Sequence, residues 1–222
     1  MPSSTTENYL KQLMFLQQKQ DDAAPVGTGR LAAAMAVTPG TATVMVKSLA
    51  DAGLVHYESR TGVRLTAAGE RTALEVIRRH RIIELFLVQI LHLDWSEVHE
   101  EAEVLEHAVS DKVLAHMDEL LGHPAFDPHG DPIPDASGQV QSRELSRLDE
   151  CRPGQALRVS QVENSDPAFL RFAESRRLTP GAALTILEAD PMSDALMVQC
   201  ESGPPFVMGM SAARRVFVTP VR

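Results

Sequence analysis

Apolar residues at Tyr9, Leu10, Leu13, Met14 and Leu16 gather on one broad side and predict an amphipathic helix over Tyr9–Gln18. The polar stretch Lys19–Gly29, with Pro25 and Gly27, predicts a loop. Leu31–Val37 predicts a short alanine-rich helix. Thr38-Pro39 then offers an N-cap and a proline at the first helical position. The helix that follows buries Ala42, Met45, Val46 and Leu49 and ends near Gly53. Two β-type runs, Leu54–Tyr57 and Val63–Leu65, flank a turn signal at Ser59-Arg60-Thr61-Gly62. Helix, turn, helix and hairpin in this order predict a winged helix-turn-helix.

Beyond the hairpin, Thr66 is placed to cap a long helix from Ala67 to Leu91. Asp94 and Glu97 have capping-box spacing and predict a helix to Val109, and Ser110 predicts another over Asp111–Leu121. The Pro-, Gly- and Asp-rich stretch His123–Gly138 predicts a crossing segment, and Ser142–Asp149 a short helix. Ala156–Val162, Ala183–Ile186, Ala195–Cys200 and Arg215–Val218 predict strands, with a helix over Pro167–Arg176 among them. A small β-barrel fits this tail. The fold class is therefore α+β, mainly α. The expected domains are 1–72 (winged helix), 73–140 (helical), a linker at 141–150, and 151–222 (barrel).

The net charge of −9 over 222 residues is wrong for a DNA binder until it is divided along the chain. Residues 1–80 balance at +2, 81–150 at −12 and 151–222 at +1. Six of the eight histidines fall in the acidic block. Such a block is either a solvated surface or a site for a cation that cancels its charge. Met1-Pro2-Ser3-Ser4-Thr5-Thr6 carries no signal-peptide pattern, and no apolar run suggests a membrane span. Cys151 and Cys200 are too few for a disulfide framework and lack metal-ligand spacing. The expectation is a cytoplasmic protein with no membrane partner and no small organic substrate.

In the winged helix, the buried stripe leaves Thr38, Pro39, Gly40, Thr41, Thr43, Val44 and Lys47 available to DNA. Hydroxyls can bond bases or phosphates, and the Val44 methyls can touch a thymine methyl. Lys47, Arg60 and Arg64 are expected on phosphates. No arginine on this helix is placed for a bidentate guanine contact, so apolar contacts and DNA shape should carry much of the readout.

His80 and Glu84 share a helical face. His99, Glu103, Glu106 and His107 fall on one face of the next helix, at the edge of the apolar stripe Val98, Ala102, Leu105 and Val109. Two antiparallel helices across a short connection would bring these rows together. Carboxylates and imidazoles without thiolates suit Mn²⁺, Fe²⁺, Zn²⁺ or Co²⁺, and carboxylate richness favours a harder ion.

The chain resembles the iron- and manganese-dependent repressors typified by the diphtheria toxin repressor and the manganese transport regulator. The resemblance runs through Thr6-Glu7-Asn8-Tyr9-Leu10, the Thr38–Val55 region ending in Asp51-Ala52-Gly53-Leu54-Val55, and Leu65-Thr66-Ala67-Ala68-Gly69. It continues through Arg79-His80-Arg81, Val98-His99-Glu100-Glu101-Ala102-Glu103, Glu106-His107 and Pro128-His129-Gly130-Asp131-Pro132-Ile133-Pro134. It implies a homodimer that binds palindromic operator DNA when metal-loaded and represses metal-uptake genes, with an SH3-like (FeoA-type) tail. The implied primary site is Asn8, Glu103, Glu106 and His107. The implied ancillary site is His80, Glu84 and His99, helped by Asp166 or Glu163 of the tail.

Four positions bear on the metal. Glu103 stands where iron-sensing members carry cysteine and manganese-sensing members glutamate, which implies Mn²⁺, with Fe²⁺ the alternative and Zn²⁺, Co²⁺ or Cd²⁺ able to substitute. Asn8 replaces a methionine or aspartate and offers a neutral amide oxygen. Lys11 replaces an acid that short manganese sensors use for a paired-metal cluster, so that cluster is not expected. Asp127 replaces a cysteine found in some members and is a candidate oxygen ligand, while His129 is read as holding the crossing segment. A metalloenzyme and a winged-helix dimer that senses nothing are the rival readings. The lack of a His-Glu-x-x-His motif counts against the enzyme.

Overall fold

The computed structural model describes residues 3–20, 24–201 and 203–221. The first two residues and positions 21–23 of the predicted Lys19–Gly29 loop lie outside the described residues. The chain divides into two compact units, Met1–His80 with Pro134–Gln139, and Arg81–Ile133 with Val140–Arg222.

In the first unit, α1 (Ser4–Gln18) begins more than a turn before the apolar pattern does. Ser3 sets that start by accepting a hydrogen bond from the Thr6 N–H. α2 (Thr28–Ala34) is followed by α3 (Pro39–Asp51), capped by Thr38, whose side chain accepts from the Thr41 N–H at 3.2 Å. β1 (Val55–Glu58) and β2 (Gly62–Leu65) pair antiparallel, with His56 opposite Arg64. Val26 bridges Val63 and fastens the segment before α2 to the turn end of this hairpin. Gly62 is required there, because its φ is +128° and a Cβ would lie 2.5 Å from the Val26 carbonyl oxygen. Tyr9, Leu10, Leu13, Leu31, Val46, Leu49, Val63, Leu65 and Ile77 form one core. Each such aliphatic side chain contributes about 1.5–3 kcal/mol by leaving water. α4 (Ala67–Gln89) supplies its first half to this unit and its second half to the other.

In the second unit, α5 (Val98–Leu105) and α6 (Asp111–Leu120) follow α4. The expected capping box is not formed. Asp94 accepts instead from the Ser96 N–H at 2.8 Å, closing a turn, and the helix starts only at Val98 with no side-chain cap from Glu97. Ser110 caps α6 as the sequence predicts.

The tail holds β3 (Ser146–Arg147), a single 3₁₀ turn (Leu148–Glu150), β4 (Ala156–Val162), α7 (Pro167–Ser175) and β5 (Ala183–Asp190). β6 (Ala195–Cys200), β7 (Phe206–Gly209), α8 (Met210–Ala213) and β8 (Val216–Pro220) complete it. The six strands make one sheet in the order β3-β8-β4-β5-β6-β7, whose two end strands do not pair with each other. The short helix expected at Ser142–Asp149 is replaced by β3 and the 3₁₀ turn, which place Leu148 in the core beside Leu157, Val159 and Val218. Between Val159 and Gln161 the β4–β8 register shifts, so Ser160 is the extra residue of a β-bulge. No helix among the described residues is long and apolar enough to cross a membrane.

Candidate metal centre and nucleic-acid interface

Within the second unit, Glu84 of α4 and Asp127 and His129 of the segment after α6 bring one ligand atom each within 4.8 Å of one another. All three are buried. The loop that presents the last two is shaped by Asp127 itself, whose Oδ1 accepts from the N–H groups of His129 (2.8 Å) and Asp131 (2.9 Å). Its Oδ2 makes no hydrogen bond among the described residues, although Arg81 Nε stands 3.7 Å away.

His129 is held from both sides. Its Nε2 lies 2.9 Å from the Trp95 carbonyl oxygen, so that nitrogen carries the proton and donates. Its ring stacks on Trp95 with centroids 5.4 Å apart. Nδ1 is then the nitrogen with a free lone pair, and among the described residues it has no hydrogen-bond partner. A histidine fixed through one nitrogen to a carbonyl, with the other open, is how imidazole ligands are prepared for metals.

Burial pushes the Asp127 carboxyl well above its ordinary range. The charges of Asp131 and Glu84 push it further, and Arg81 opposes them. Two buried carboxylates so close together are costly without a cation. An open Asp127 oxygen, an open His129 nitrogen and the Glu84 carboxylate therefore fit a divalent ion of intermediate to hard character.

The row expected on the helix after Leu93 splits. Glu84 Oε1 lies 3.1 Å from His99 Nδ1, and His99 Nε2 lies 3.7 Å from Glu103 Oε1. Glu103 is thus directed along a chain that begins at Glu84. Glu106, fully buried, has its Oε1 3.3 Å from His107 Nε2. Because α5 ends at Leu105, His107 lies beyond the helical face that the spacing assumes.

His80 is buried on α4, one turn before Glu84, and Asn8 is half-buried on α1. The tail acids are engaged elsewhere. Asp166 caps α7 by accepting from the Ala168 N–H and lies 3.1 Å from Arg215 Nη1, while Glu163 lies 3.4 Å from Arg215 Nε. The hydrogen bond from Arg215 holds the Asp166 carboxyl below its usual range.

Sequence reasoning gave His129 a scaffolding role and missed it as a candidate ligand. The available signal was the Asp-x-His spacing before Gly130, which places the two side chains on one tight loop.

On the other unit, Val44 is 71% exposed on α3, and Thr38, Pro39, Gly40, Thr41 and Lys47 are exposed around it. The threonines are partly committed. Thr38 is the cap, its oxygen 2.9 Å from the Thr41 hydroxyl, and the half-buried Thr43 donates its hydroxyl proton to the Pro39 carbonyl oxygen at 2.8 Å. Arg60 at the hairpin tip and Arg64 on β2 are exposed. The face therefore offers one apolar knob, hydroxyl acceptors and flanking cations.

Three family models match the chain in sequence order. Residues 1–63 match the iron dependent repressor N-terminal DNA binding domain, 66–135 the iron dependent repressor metal binding and dimerisation domain, and 146–220 the FeoA domain. The diphtheria toxin repressor of Corynebacterium efficiens is 32% identical over 164 residues, 72% of this chain and 70% of that protein. The iron-dependent repressor IdeR of Mycobacterium leprae is 27% identical over 208 residues, 87% of this chain and 88% of that one. A solved manganese-dependent transcriptional repressor in complex with manganese is 39% identical, covers 97% of this chain and 100% of its own, and superposes with a TM-score of 0.88.

Proposed function

The chain belongs to the iron-dependent repressor family, metal-dependent DNA-binding repressors that include the diphtheria toxin repressor, and we propose that its own co-repressor is Mn²⁺. The observation that carries this reading is the buried Glu84, Asp127 and His129 set, which offers oxygen and nitrogen donors and no thiolate. Hard oxygen donors favour Mn²⁺ over softer ions. Likeness to a manganese-bound repressor supports the same choice.

In this reading Glu84, Asp127 and His129 hold one ion. Glu106 and His107 offer a second set, and His99 and Glu103 flank the first. The ion supplies positive charge to a block that carries −12 and fixes groups from separate stretches of chain in one arrangement. The winged helix presents Val44 and the hydroxyls of α3 to the major groove, and Lys47, Arg60 and Arg64 to phosphates.

The protein acts as a cytoplasmic homodimer on palindromic DNA, and it is a regulator of metal-uptake genes rather than an enzyme. Exposed Ile90, Leu91, Leu93, Val104, Val113 and Leu120 supply apolar surface for the dimer within the segment that matches a dimerisation domain. Metal and operator must strengthen each other by the same factor, because binding linkage is reciprocal.

The deciding measurement is a fluorescence-anisotropy titration on palindromic operator DNA with Mn²⁺, Fe²⁺, Zn²⁺ or a chelator. Tight binding with Mn²⁺ and weak binding with chelator is the expected result. Equal affinity under all four conditions would remove the sensing role.

A further inference from the structure

The loop that carries Asp127 and His129 is fastened to β4 where that strand is irregular. β5 pairs with β4 over Ala156–Arg158 and Val159 bonds on to Gly181 and Ala182, so that Ser160–Val162 lie beyond the reach of β5 on that side. The loop takes the vacant edge, and the Val162 N–H donates to the His129 carbonyl oxygen at 2.9 Å. The bulge at Ser160 turns the strand so that its carbonyl meets Gly130. Contact there is close: Gly130 has φ +90°, and a Cβ would lie 2.1 Å from Ser160 O and 2.8 Å from Gln161 Cα. Arg143, stacked over Phe126, donates Nη2 hydrogens to both the Gly130 and Ser160 carbonyl oxygens. Finally, Gln161 Nε2 donates to Asp131 Oδ1 at 2.9 Å, and the Asp131 N–H is one of the two that orient Asp127.

We propose that Gln161 and the Ser160 bulge are positioning elements of the metal centre, through which the C-terminal domain sets metal affinity without supplying Glu84, Asp127 or His129. This rests on the reading that Asp127 and His129 hold the ion. Both residues hang on backbone that β4 fixes: His129 by its carbonyl, and Asp127 through Asp131 and Gln161. Asp131 adds negative charge next to Asp127, and the Gln161 amide together with Arg81, whose Nη2 is 3.5 Å away, holds that carboxylate in place. Released from Gln161, Asp131 no longer fixes the turn that aims Asp127. Outer partners of this kind typically govern metal affinity by roughly 10–100-fold.

The test uses the full chain, with Mn²⁺ binding followed by electron paramagnetic resonance and the metal-free melting temperature taken alongside. Gln161→Leu keeps the size of the side chain and removes the donor. It is expected to weaken Mn²⁺ binding roughly 10–100-fold, broaden the spectrum of the bound ion and leave the metal-free melting temperature unchanged. Gly130→Ala, which must push the loop off β4, is expected to weaken binding in the same way. Arg158→Ala, on β4 but away from the loop, is expected to leave affinity unchanged. Wild-type affinity in Gln161→Leu or in Gly130→Ala overturns the inference, as does an equal loss in Arg158→Ala. His129→Ala tests the underlying reading separately: wild-type affinity there removes the metal site itself, whatever Gln161 does.

Discussion

Glu84 Oε2 lies 3.8 Å from Nδ1 of His129, with both side chains fully closed to solvent. A buried carboxyl oxygen facing the imidazole nitrogen turned away from the Trp95 carbonyl is an arrangement that a cation completes. Glu84→Gln keeps the shape and removes the charge. Its Mn²⁺ affinity should fall by more than the roughly 10–100-fold expected for an outer partner, while the metal-free fold persists. Isothermal titration that returned wild-type affinity would exclude Glu84 as a ligand.

Asp127 gives a prediction of opposite sign for stability. Its folded-state affinity for a proton is raised, chiefly by burial. Between the ordinary carboxylate range and that raised value, the folded chain holds a proton that the unfolded chain has lost. Stability of the metal-free protein should therefore fall as pH rises through this window. Asp127→Asn keeps the Oδ1 acceptor for His129 and Asp131 and removes the titration. It should flatten the decline, raise the melting temperature near neutrality and abolish the Mn²⁺-induced increase. A variant less stable than wild type in chelator at neutral pH would contradict this account.

Glu103 tests metal choice. Its carboxylate faces His99, whose other nitrogen faces Glu84. Glu103→Cys replaces a hard oxygen by a soft thiolate and should move the order of activation toward Fe²⁺ and Zn²⁺. An unchanged metal order in operator-binding assays would take this position out of the selectivity argument.

On the DNA side, Val44→Ser removes the exposed apolar knob of α3. Operator affinity should fall several-fold, by about 1 kcal/mol, with non-specific binding unaffected. Lys47→Ala should weaken binding to all sequences alike and reduce the salt slope by about 1. A sequence-selective defect in Lys47→Ala would assign it to a base instead of a phosphate.

Much of the fold is legible locally. Thr38-Pro39 starts α3, Ser110 starts α6, and the β-rich runs at Ala156–Val162 and Ala195–Cys200 are strands over those spans. The failures share a cause, which is that a group found a partner the local pattern does not announce, nearby or far along the chain. Asp94 has the spacing of a cap, but its carboxylate bonds two residues ahead instead of three. Ser142–Asp149 has helical spacing, but pairing of Ser146 and Arg147 with β8 overrides it. β7 follows Pro204-Pro205, a loop signal that hides the four residues pairing with β6.

The site follows the same rule. Glu84 is legible as a helical acid facing histidines, whereas His129 is not, because its Trp95 and Glu84 neighbours are distant in sequence and meet it only by tertiary packing. The row of His99, Glu103, Glu106 and His107 is legible as spacing. Its division into two pairs depends on where α5 stops, which spacing does not encode.

The stack of Trp95 on His129 has a practical consequence. Trp95 is the single tryptophan of the chain, so its indole emission comes from one known place, against the ring of a candidate ligand. The molecule thus carries a built-in optical gauge. A paramagnetic ion seated beside His129 should dim that emission stoichiometrically, and the light can be followed in real time without any added dye.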